Sequence, residues 1–250
     1  LALIGIFVYE ELDTSLRRKA DIEKLLLLPT LGSIPALDRH SGNGQNSVLK
    51  RLGVGGNGNG SSSNGRSLAL QSSSPVFESY RAIRTSLIFS NAVESLRSVA
   101  ITSASPGDGK STTVANLATA FAQQGLRVIV FDCDLRRGSL HKILRIPRSP
   151  GLTQAIASGA ELSAVARETS VPNLSIVTTG VQPPNPSELL GSQRLRELLL
   201  QAQEQYDLVL IDTPPVLAAP DAAVLASMVD GVILLVRVGA TTRTAARTAQ

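Results

Sequence analysis

The sequence predicts an α/β fold in which helices cover both faces of a mostly parallel sheet. Five short apolar runs predict buried strands, at residues 98–102, 127–131, 174–178, 207–211 and 231–236. Segments of helix length separate these runs, and parallel strands need such crossover connections. A glycine-rich turn or aspartates follow three of the runs, at the strand ends where open α/β sheets bind ligands. We therefore expect a ligand site at the carboxyl edge of the sheet.

Composition excludes several classes of function. The 250 residues are 43% hydrophobic and 18% charged, which is an ordinary balance for a globular domain. The formal charge of +4 is spread along the chain, so no basic stripe indicates a nucleic-acid partner. One cysteine, Cys133, rules out an internal disulfide and fits a reducing compartment, and two distant histidines argue against a zinc site.

Three segments of different composition predict the domain organisation. Residues 1–9 are apolar but too few to span a bilayer, which needs about 20 residues. They fit either a buried segment or, as the basic residues 17–19 favour, the end of a truncated transmembrane helix. We expect residues 1–37 to be a membrane-proximal stub and 38–74, rich in Gly, Ser and Asn, a flexible linker rather than an ordered loop. Residues 75–250 are the predicted folded domain. Since the chain begins without Met and ends inside a helix-like run, we expect it to be part of a longer protein.

The helix predicted at the start of the folded domain has an apolar face and a charged stripe. The apolar face consists of Val76, Tyr80, Ile83 and Leu87. The stripe consists of Glu78, Arg81 and Arg84, which are spaced three apart. This stripe fits either a solvated face with an internal ion pair or a surface that contacts a partner.

Residues 98–113, SVAITSASPGDGKSTT, predict a phosphate-binding loop. Gly107 and Gly109 allow the backbone to approach an anion, Lys110 supplies a positive charge, and Ser111 offers a hydroxyl to Mg²⁺. Ala104 stands where the usual pattern G-x-x-x-x-G-K-[ST] has its first glycine. The alternative is a glycine-rich turn with an exposed lysine. A strand before the loop and a helix after it support phosphate binding, since residues 113–124 have apolar positions at helical spacing, namely Val114, Leu117, Ala118 and Phe121.

Acidic residues follow two other predicted strands. Asp132 and Asp134 come after the run 127–131, and Asp212 precedes Thr213-Pro214-Pro215. A carboxylate at such a strand end holds the Mg²⁺ shell in a Walker B motif. The alternative for Asp132 and Asp134 is a loop with capping aspartates. Asp221 fits an N-cap at least as well as a catalytic role.

The remaining segments are assigned to packing. We expect two short helical turns within residues 151–166 and one helix over residues 187–205.

In combination these motifs resemble those of bacterial tyrosine kinases (BY-kinases), the cytoplasmic ATPase-like part of polysaccharide co-polymerases. The resemblance covers essentially the whole chain. Its motifs are Glu78-x-x-Arg81-x-x-Arg84, the phosphate loop, Asp132-x-Asp134-x-Arg136 and Asp212-Thr213-Pro214-Pro215. The phosphate loop of this family often begins with Ala or Ser, so Ala104 supports the resemblance. It implies a P-loop NTPase-type fold of the MinD/ParA-like subgroup.

The resemblance also implies site residues for ATP and Mg²⁺. The expected nucleotide-binding residues are Ser105, Pro106, Gly107, Asp108, Gly109, Lys110, Ser111 and Thr112. The expected metal ligands are Ser111, Asp132 and Asp212, and the expected catalytic residues are Lys110, Asp132, Asp134, Arg136 and Asp212. Either Asp134 or Asp132 would help to deprotonate the acceptor tyrosine. Arg136 would either stabilise the transferred charge or hold its loop.

The partners that the resemblance implies are other subunits, tyrosine segments and a membrane. Glu78, Arg81 and Arg84 would form a subunit contact in a ring-like homo-oligomer. The acceptor would be a tyrosine cluster at the C-terminus of a neighbouring subunit, whereas the tyrosines of this chain are Tyr9, Tyr80 and Tyr206. The implied location is the cytoplasmic face of the bacterial inner membrane, reached through a region N-terminal to this chain. There the kinase would regulate capsule or exopolysaccharide polymerisation and export.

Two other functions fit part of the pattern. A MinD/ParA-like ATPase switch would dimerise at a membrane without phosphorylating tyrosine, but such proteins carry a second lysine early in the loop, where this chain has Ser105. A non-catalytic assembly protein would bind nucleotide only as a structural ligand. Intact Lys110, Ser111 and three acidic positions argue against that role.

Overall fold

The computed structural model describes residues 16, 19–35, 74–89 and 96–250. The helices in these ranges are α1 (Lys19–Leu26), α2 (Pro75–Phe89), α3 (Lys110–Ala122), α4 (Leu140–Ile143), α5 (Leu152–Ser158), α6 (Pro186–Leu190), α7 (Gln193–Gln205), α8 (Asp221–Ala226) and α9 (Arg243–Thr248). The strands are β1 (Ser98–Ser103), β2 (Val128–Asp132), β3 (Arg167–Glu168), β4 (Leu174–Val177), β5 (Leu208–Asp212) and β6 (Gly231–Leu235). A single 3₁₀ turn, Leu162–Ala164, follows α5.

Six strands form one sheet in the order β3-β4-β2-β5-β1-β6. All neighbouring pairs are parallel except β3 with β4. The five predicted strands are confirmed to within one residue at each end. The antiparallel edge strand β3 was not predicted, because two residues are too few to produce a recognisable apolar pattern.

Helices cover both faces of the sheet, as predicted. Side chains of β2 alternate between two separate apolar clusters, Val128 and Val130 on one face and Ile129 and Phe131 on the other. The first cluster also contains side chains of α2 and α3, and the second contains side chains of α5 and α7. A parallel sheet buried on both faces explains why its strands are continuous apolar runs.

Helix α3 is the most deeply buried helix that the structure describes. The predicted positions Val114, Leu117, Ala118 and Phe121 are all buried. Ala115 and Ala120 are buried as well, because α3 lies between the sheet and α2. The helix begins at Lys110 and not at residue 113 as predicted, so the last residues of the phosphate loop are its first turn.

The apolar face predicted for α2 is confirmed at Tyr80, Ile83 and Leu87. At the start of the helix Phe77 is fully buried, whereas Val76 is only partly buried. The ring of Phe77 is also contacted by Arg81, whose guanidinium carbon lies 5.3 Å from the ring centre.

The single helix predicted over residues 187–205 is wrong, since the structure has two helices there. Gly191 ends α6, and Ser192 caps α7 by accepting a hydrogen bond from the Leu195 amide at 3.3 Å. A serine at the N-cap satisfies an amide that the first turn leaves free, which favours a new helix start over continuation. The two helical turns predicted within residues 151–166 are confirmed.

Part of the predicted membrane-proximal stub contacts the folded domain. The Leu16 amide donates to the Thr241 carbonyl at 3.1 Å, and the Leu16 carbonyl accepts from the Gly239 amide at 2.8 Å. Further along, Leu31 and Ile34 pack against the cluster that contains α2. The division of the chain at residues 37 and 74 stays a prediction.

The expected end of a transmembrane helix at residues 1–9 and nearly all of the expected linker lie outside the described residues. Among the helices in the described ranges, none has both the length and the apolar character needed to cross a bilayer.

Candidate active site

Three strand ends meet at the carboxyl edge of the sheet. Strand β5 lies between β1 and β2, and Asp212 at its end is in register with Asp132 on one side and Ile101 on the other. The Cys133 amide donates to the Asp212 carbonyl at 2.9 Å, so pairing continues one residue beyond β2. Because β1 leads directly into the phosphate loop, the fold places this loop beside the two aspartates. Such a strand edge is where doubly wound sheets bind their ligands.

The phosphate loop has the backbone conformation that its glycines allow. Gly107 and Gly109 have φ values of 85° and 99°, in the left-handed region, and Gly109 is the N-cap of α3. An added Cβ at either glycine would meet no described atom within 4 Å, so the conformation and not crowding requires glycine there. Inside the loop, the Ser105 amide donates to Asp108 Oδ2 at 3.1 Å, which closes the turn.

Lys110 is the first residue of α3 and is buried. Its Nζ donates to Ser103 Oγ at 3.3 Å, and it forms no ion pair with a carboxylate of the described residues. This contradicts the alternative of an exposed lysine. A buried ammonium held by a single hydroxyl retains donors for an anionic ligand.

Asp132 and Asp212 are both fully buried. Asp132 Oδ2 accepts from the Leu140 amide at 3.2 Å. By distance and angle, no described group donates a hydrogen bond to Asp132 Oδ1 or to either carboxylate oxygen of Asp212, although the Ser111 hydroxyl lies close enough to Asp212 to lower its pKa. Buried polar atoms are nearly always paired, so three unpaired oxygens at one strand edge indicate a site for a cation or a donor.

Burial also changes the protonation of both carboxyls. It raises the pKa of Asp212 to about 7; the Ser111 hydroxyl and the Lys110 charge oppose this rise, and the Asp134 charge adds to it. The pKa of Asp132 is raised well above its ordinary value, first by burial and then by the charge of Asp212. Two neighbouring buried carboxylates that are costly to ionise together favour a bound cation.

These residues fit Mg²⁺ in the presence of a polyphosphate. No cluster of three or more His, Cys, Asp or Glu side chains in the described part of the chain could hold a metal without other ligands. Mg²⁺ does not require one, because it binds through one or two carboxylates, substrate phosphates and several waters. Ser111, Asp132 and Asp212 supply a hydroxyl and two carboxylates of that kind.

The structure places Asp134 and Arg136 differently from these residues. Asp134 is only partly buried, and its Oδ1 accepts from the Arg137 amide at 2.9 Å. The Arg136 Nε donates to Asp221 Oδ2 at 3.0 Å, and Arg136 Nη2 donates to Ser187 Oγ at 3.1 Å. The hydrogen bond to Asp221 raises the pKa of Arg136 further. These contacts fit the interpretation in which Arg136 holds its loop.

Three other polar residues lie at this edge. The sequence left an N-cap and a catalytic role open for Asp221, and it did not predict Ser187 or Arg237. Asp221 is the first residue of α8 after the N-cap Pro220, so it is not the N-cap and pairs with Arg136. Ser187 donates its hydroxyl proton to Asp221 Oδ1. Arg237 donates to the Gly107 carbonyl of the phosphate loop at 3.2 Å. Its position just after β6, at the same strand edge, was the one available signal.

The charged stripe on α2 lies apart from the strand edge, on a helix packed against α3. Glu78 and Arg81 form an ion pair at 2.7 Å, and their side chains are 60% and 38% exposed. Arg84 Nη1 donates to the Ala120 carbonyl of α3 at 2.7 Å. The internal ion pair is therefore present, and the subunit contact stays a prediction.

Comparison with known proteins identifies the family. Residues 96–243 match the family AAA_31, described as an AAA domain. The tyrosine-protein kinase YwqD of Bacillus subtilis is 42% identical over 164 residues, which are 66% of this chain and 69% of that protein. The tyrosine-protein kinase Wzc of Salmonella typhimurium is 41% identical over 150 residues, 60% of this chain but 21% of that longer protein.

A solved structure shows the same fold. The kinase domain of the Escherichia coli tyrosine kinase Etk has a TM-score of 0.77 and 32% sequence identity, over 93% of this chain and 86% of that one. The resemblance seen in the sequence agrees with these findings. This chain has the mostly parallel sheet of the P-loop NTPase fold, as the Etk kinase domain does, and its match to YwqD covers most of that protein. The chain belongs to the family of bacterial tyrosine-protein kinases.

Proposed function

We propose that this chain binds ATP with Mg²⁺ at the carboxyl edge of the sheet and transfers the γ-phosphate to tyrosine hydroxyls. The observation that carries the proposal is the pair of buried carboxylates Asp132 and Asp212, in register on neighbouring strands beside a phosphate loop with a buried Lys110. Phosphoryl transfer needs little covalent chemistry from the protein, so positioning and charge neutralisation are the main requirements.

The residues of the loop divide these tasks. Amides of residues 105–112 and the amino end of α3 would hold the phosphates, with Lys110 as a positive charge between them. Ser111, Asp132 and Asp212 would hold Mg²⁺, which neutralises charge on the phosphate oxygens when it is bound.

Asp134 is the better candidate of the two for the base. A tyrosine hydroxyl has a pKa of about 10 and needs a nearby carboxylate to accept its proton. Asp134 is partly exposed and can meet an incoming side chain, whereas Asp132 is fully buried and already accepts from the Leu140 amide. Asp132 is therefore assigned to the metal.

The acceptor tyrosine would come from another segment or subunit. Tyr80 is buried against α3, and burial raises the pKa of its hydroxyl. Tyr206 lies at the end of α7 next to the start of β5, at the opposite edge of the sheet from Asp134. Tyr9 lies outside the described residues. In the family that the motifs resemble, the acceptor is a tyrosine cluster of a neighbouring subunit. This resemblance supports phosphorylation between subunits.

The physiological setting follows from the same resemblance. The proposed role is to regulate polymerisation and export of capsular or exopolysaccharide at the cytoplasmic face of the inner membrane. Attachment to the membrane would come from sequence N-terminal to this chain.

The kinase proposal is tested with the purified chain, Mg²⁺·ATP and a tyrosine-containing peptide. We expect Lys110→Met to abolish peptide phosphorylation, measured by mass spectrometry, because the phosphates lose their buried cation. Lys24→Met on α1 is the matched control and should leave the rate unchanged. Undiminished phosphotyrosine with Lys110→Met would contradict the assignment, and ATP hydrolysis without any phosphotyrosine would favour the ATPase switch.

The proposed ring-like assembly is tested separately. Glu78 and Arg81 are exposed on α2 and available to a second subunit. We expect Arg81→Ala combined with Arg84→Ala to lower the mass of the full-length oligomer in light scattering. A thermal melt of the variant checks that loss of the Arg84 contact with α3 has not unfolded the domain. An unchanged oligomer mass would refute the contact.

A further inference from the structure

The ion pair between Arg136 and Asp221 joins the two loops that leave the acidic strand ends. Asp132 ends β2, and Arg136 lies four residues further along. Asp212 ends β5, and Asp221 lies nine residues further along, at the start of α8. Because β2 and β5 are neighbours, the ion pair connects the segments that follow the two strands, and the two buried carboxylates lie at the strand ends where these segments begin.

This ion pair differs from an ordinary surface ion pair because its carboxylate is buried. The Asp221 side chain is 1% exposed, whereas the Arg136 side chain is 44% exposed. A buried carboxylate is costly unless it is paired, so Asp221 holds the guanidinium strongly. Arg136 Nε lies 3.0 Å and Nη2 3.5 Å from the two oxygens of Asp221.

A third element closes the contact from the side. Ser187, in the first turn of α6, accepts from Arg136 Nη2 at 3.1 Å and donates to Asp221 Oδ1. Asp221 therefore receives donors on both oxygens, from a loop and from a helix that come from different parts of the chain. None of these three side chains forms a hydrogen bond with the Asp132 or Asp212 carboxylate, so their effect on the site acts through the loops.

We propose that Arg136, Asp221 and Ser187 form a clamp that fixes the loops after β2 and β5 and so orients the Asp132 and Asp212 carboxylates for the metal ion. Asp221 and Arg136 are positioning residues in this scheme. The inference rests on the proposed Mg²⁺·ATP site and adds that metal affinity depends on residues that do not touch the metal. Removing residues that orient metal ligands typically weakens metal affinity about 10–100-fold.

The test uses Asp221→Asn and measures binding of Mn²⁺ with the non-hydrolysable analogue AMP-PNP by calorimetry. We expect metal affinity in the presence of nucleotide to fall about tenfold or more, while AMP-PNP affinity in EDTA changes less than about twofold. Asp207→Asn is the matched control, since Asp207 also pairs with an arginine, Arg127, at 2.8 Å but at the opposite edge of the sheet. It should change neither value.

A second variant keeps the test decisive if Asp221→Asn does not fold. Arg136→Lys leaves the buried carboxylate with a cation but removes the planar, two-donor contact, so it should lower metal affinity in the same direction. Unchanged metal affinity in Asp221→Asn or Arg136→Lys, or an equal loss of AMP-PNP affinity in EDTA, would overturn the clamp.

Hydrogen exchange of the chain without nucleotide or metal gives a separate readout. In Asp221→Asn, amides of residues 133–139 and 213–220 should exchange faster, while those of residues 159–166 should not change. If the amides of both loops exchanged at the same rate in Asp221→Asn as in the wild type, the clamp would be overturned, whether or not the chain is a kinase. A different pattern would contradict only the proposed function. In that pattern the two loops exchange faster in Asp221→Asn and the wild type binds Mn²⁺·AMP-PNP, but the wild type phosphorylates no tyrosine.

Discussion

The two edges of the sheet treat the same residue type in opposite ways. At the amino edge, Asp230 Oδ2 accepts from the Arg97 amide, the Ser98 amide and Ser98 Oγ, all within 2.9 Å. Asp207, also at this edge, accepts from the amide and guanidinium of Arg127, and the hydrogen bond to this side chain lowers the pKa of Asp207. These carboxylates are satisfied within the chain and tie the starts of neighbouring strands together.

At the carboxyl edge, Asp132 and Asp212 are buried with few partners and have raised pKa values. A buried carboxylate with few partners destabilises the fold. Its presence therefore indicates a functional role for these two residues. An aspartate next to a strand therefore indicates function only when the end of the sheet where it lies and its hydrogen-bond donors are known.

The largest expected effect is on turnover. Asp212→Asn should lower kcat for peptide phosphorylation about 10²–10³-fold, because a lost metal ligand removes several kcal/mol of charge stabilisation. Asp207→Asn should leave kcat within about twofold of the wild type. A comparable loss in both variants would mean that the two edges do not differ in function.

The next effect concerns stability and pH, in EDTA and without nucleotide. The pKa of Asp212 is about 7 when folded and 3.8 when unperturbed, so the folded chain binds a proton that the unfolded chain releases. Stability therefore falls as pH rises between these values. Asp212→Asn removes this loss, so its stability relative to the wild type should improve as the pH rises from 5 to 8 in urea unfolding.

Asp207→Asn provides the opposite sign for that measurement. Since the pKa of Asp207 is lowered, its ionised side chain stabilises the folded chain at pH values above its ordinary pKa. This stabilisation is lost as the pH falls through the lowered pKa. The side chain is 41% exposed, so the effect should be about 1 kcal/mol or less. Parallel pH profiles for the two variants would show that their electrostatic environments are alike.

A smaller effect separates the glycines. Gly109 and Gly159 both have positive φ, 99° in the phosphate loop and 69° at the end of α5. Alanine at either position should cost about 1–2 kcal/mol in chemical denaturation. Only Gly109→Ala should also weaken ATP binding, by about tenfold, because it distorts amides that face the phosphates. Equal ATP affinities would place the nucleotide elsewhere.

The smallest effect is expected at the exposed ion pair of the amino edge. Arg127→Ala should lower stability only slightly and leave kcat unchanged, because the contact with Asp207 is largely solvent-exposed. Denaturation and the peptide assay together check both values. A kcat loss approaching that of Asp212→Asn would remove the contrast between the edges.

Sequence patterns predicted the strands better than the contacts at their ends. A continuous apolar run such as 127–131 is long enough to identify a buried strand, and the residue after it is then placed by the fold. The break between α6 and α7 was missed because Leu190 and Leu195 maintain an apolar pattern across Gly191 and Ser192. The cap of a single serine decided it.

The role of Arg136 shows why the remainder of the site was not predictable. Its motif spacing placed it near the catalytic loop, but the contact with Asp221 joins residues 85 positions apart in the sequence. Nothing local to Asp221 distinguishes an N-cap from a buried ion-pair partner. Only the adjacent placement of β2 and β5 brings the two loops together.

Asp132 and Asp212 are buried with few hydrogen-bond partners, and we propose that they hold a metal ion together with ATP. The most direct test is calorimetric titration of AMP-PNP into the wild type and Asp212→Asn, each in Mg²⁺ and in EDTA. We predict that Mg²⁺ strengthens binding to the wild type at least about tenfold and has little effect on the variant. Equal strengthening of binding by Mg²⁺ in both proteins would contradict the claim.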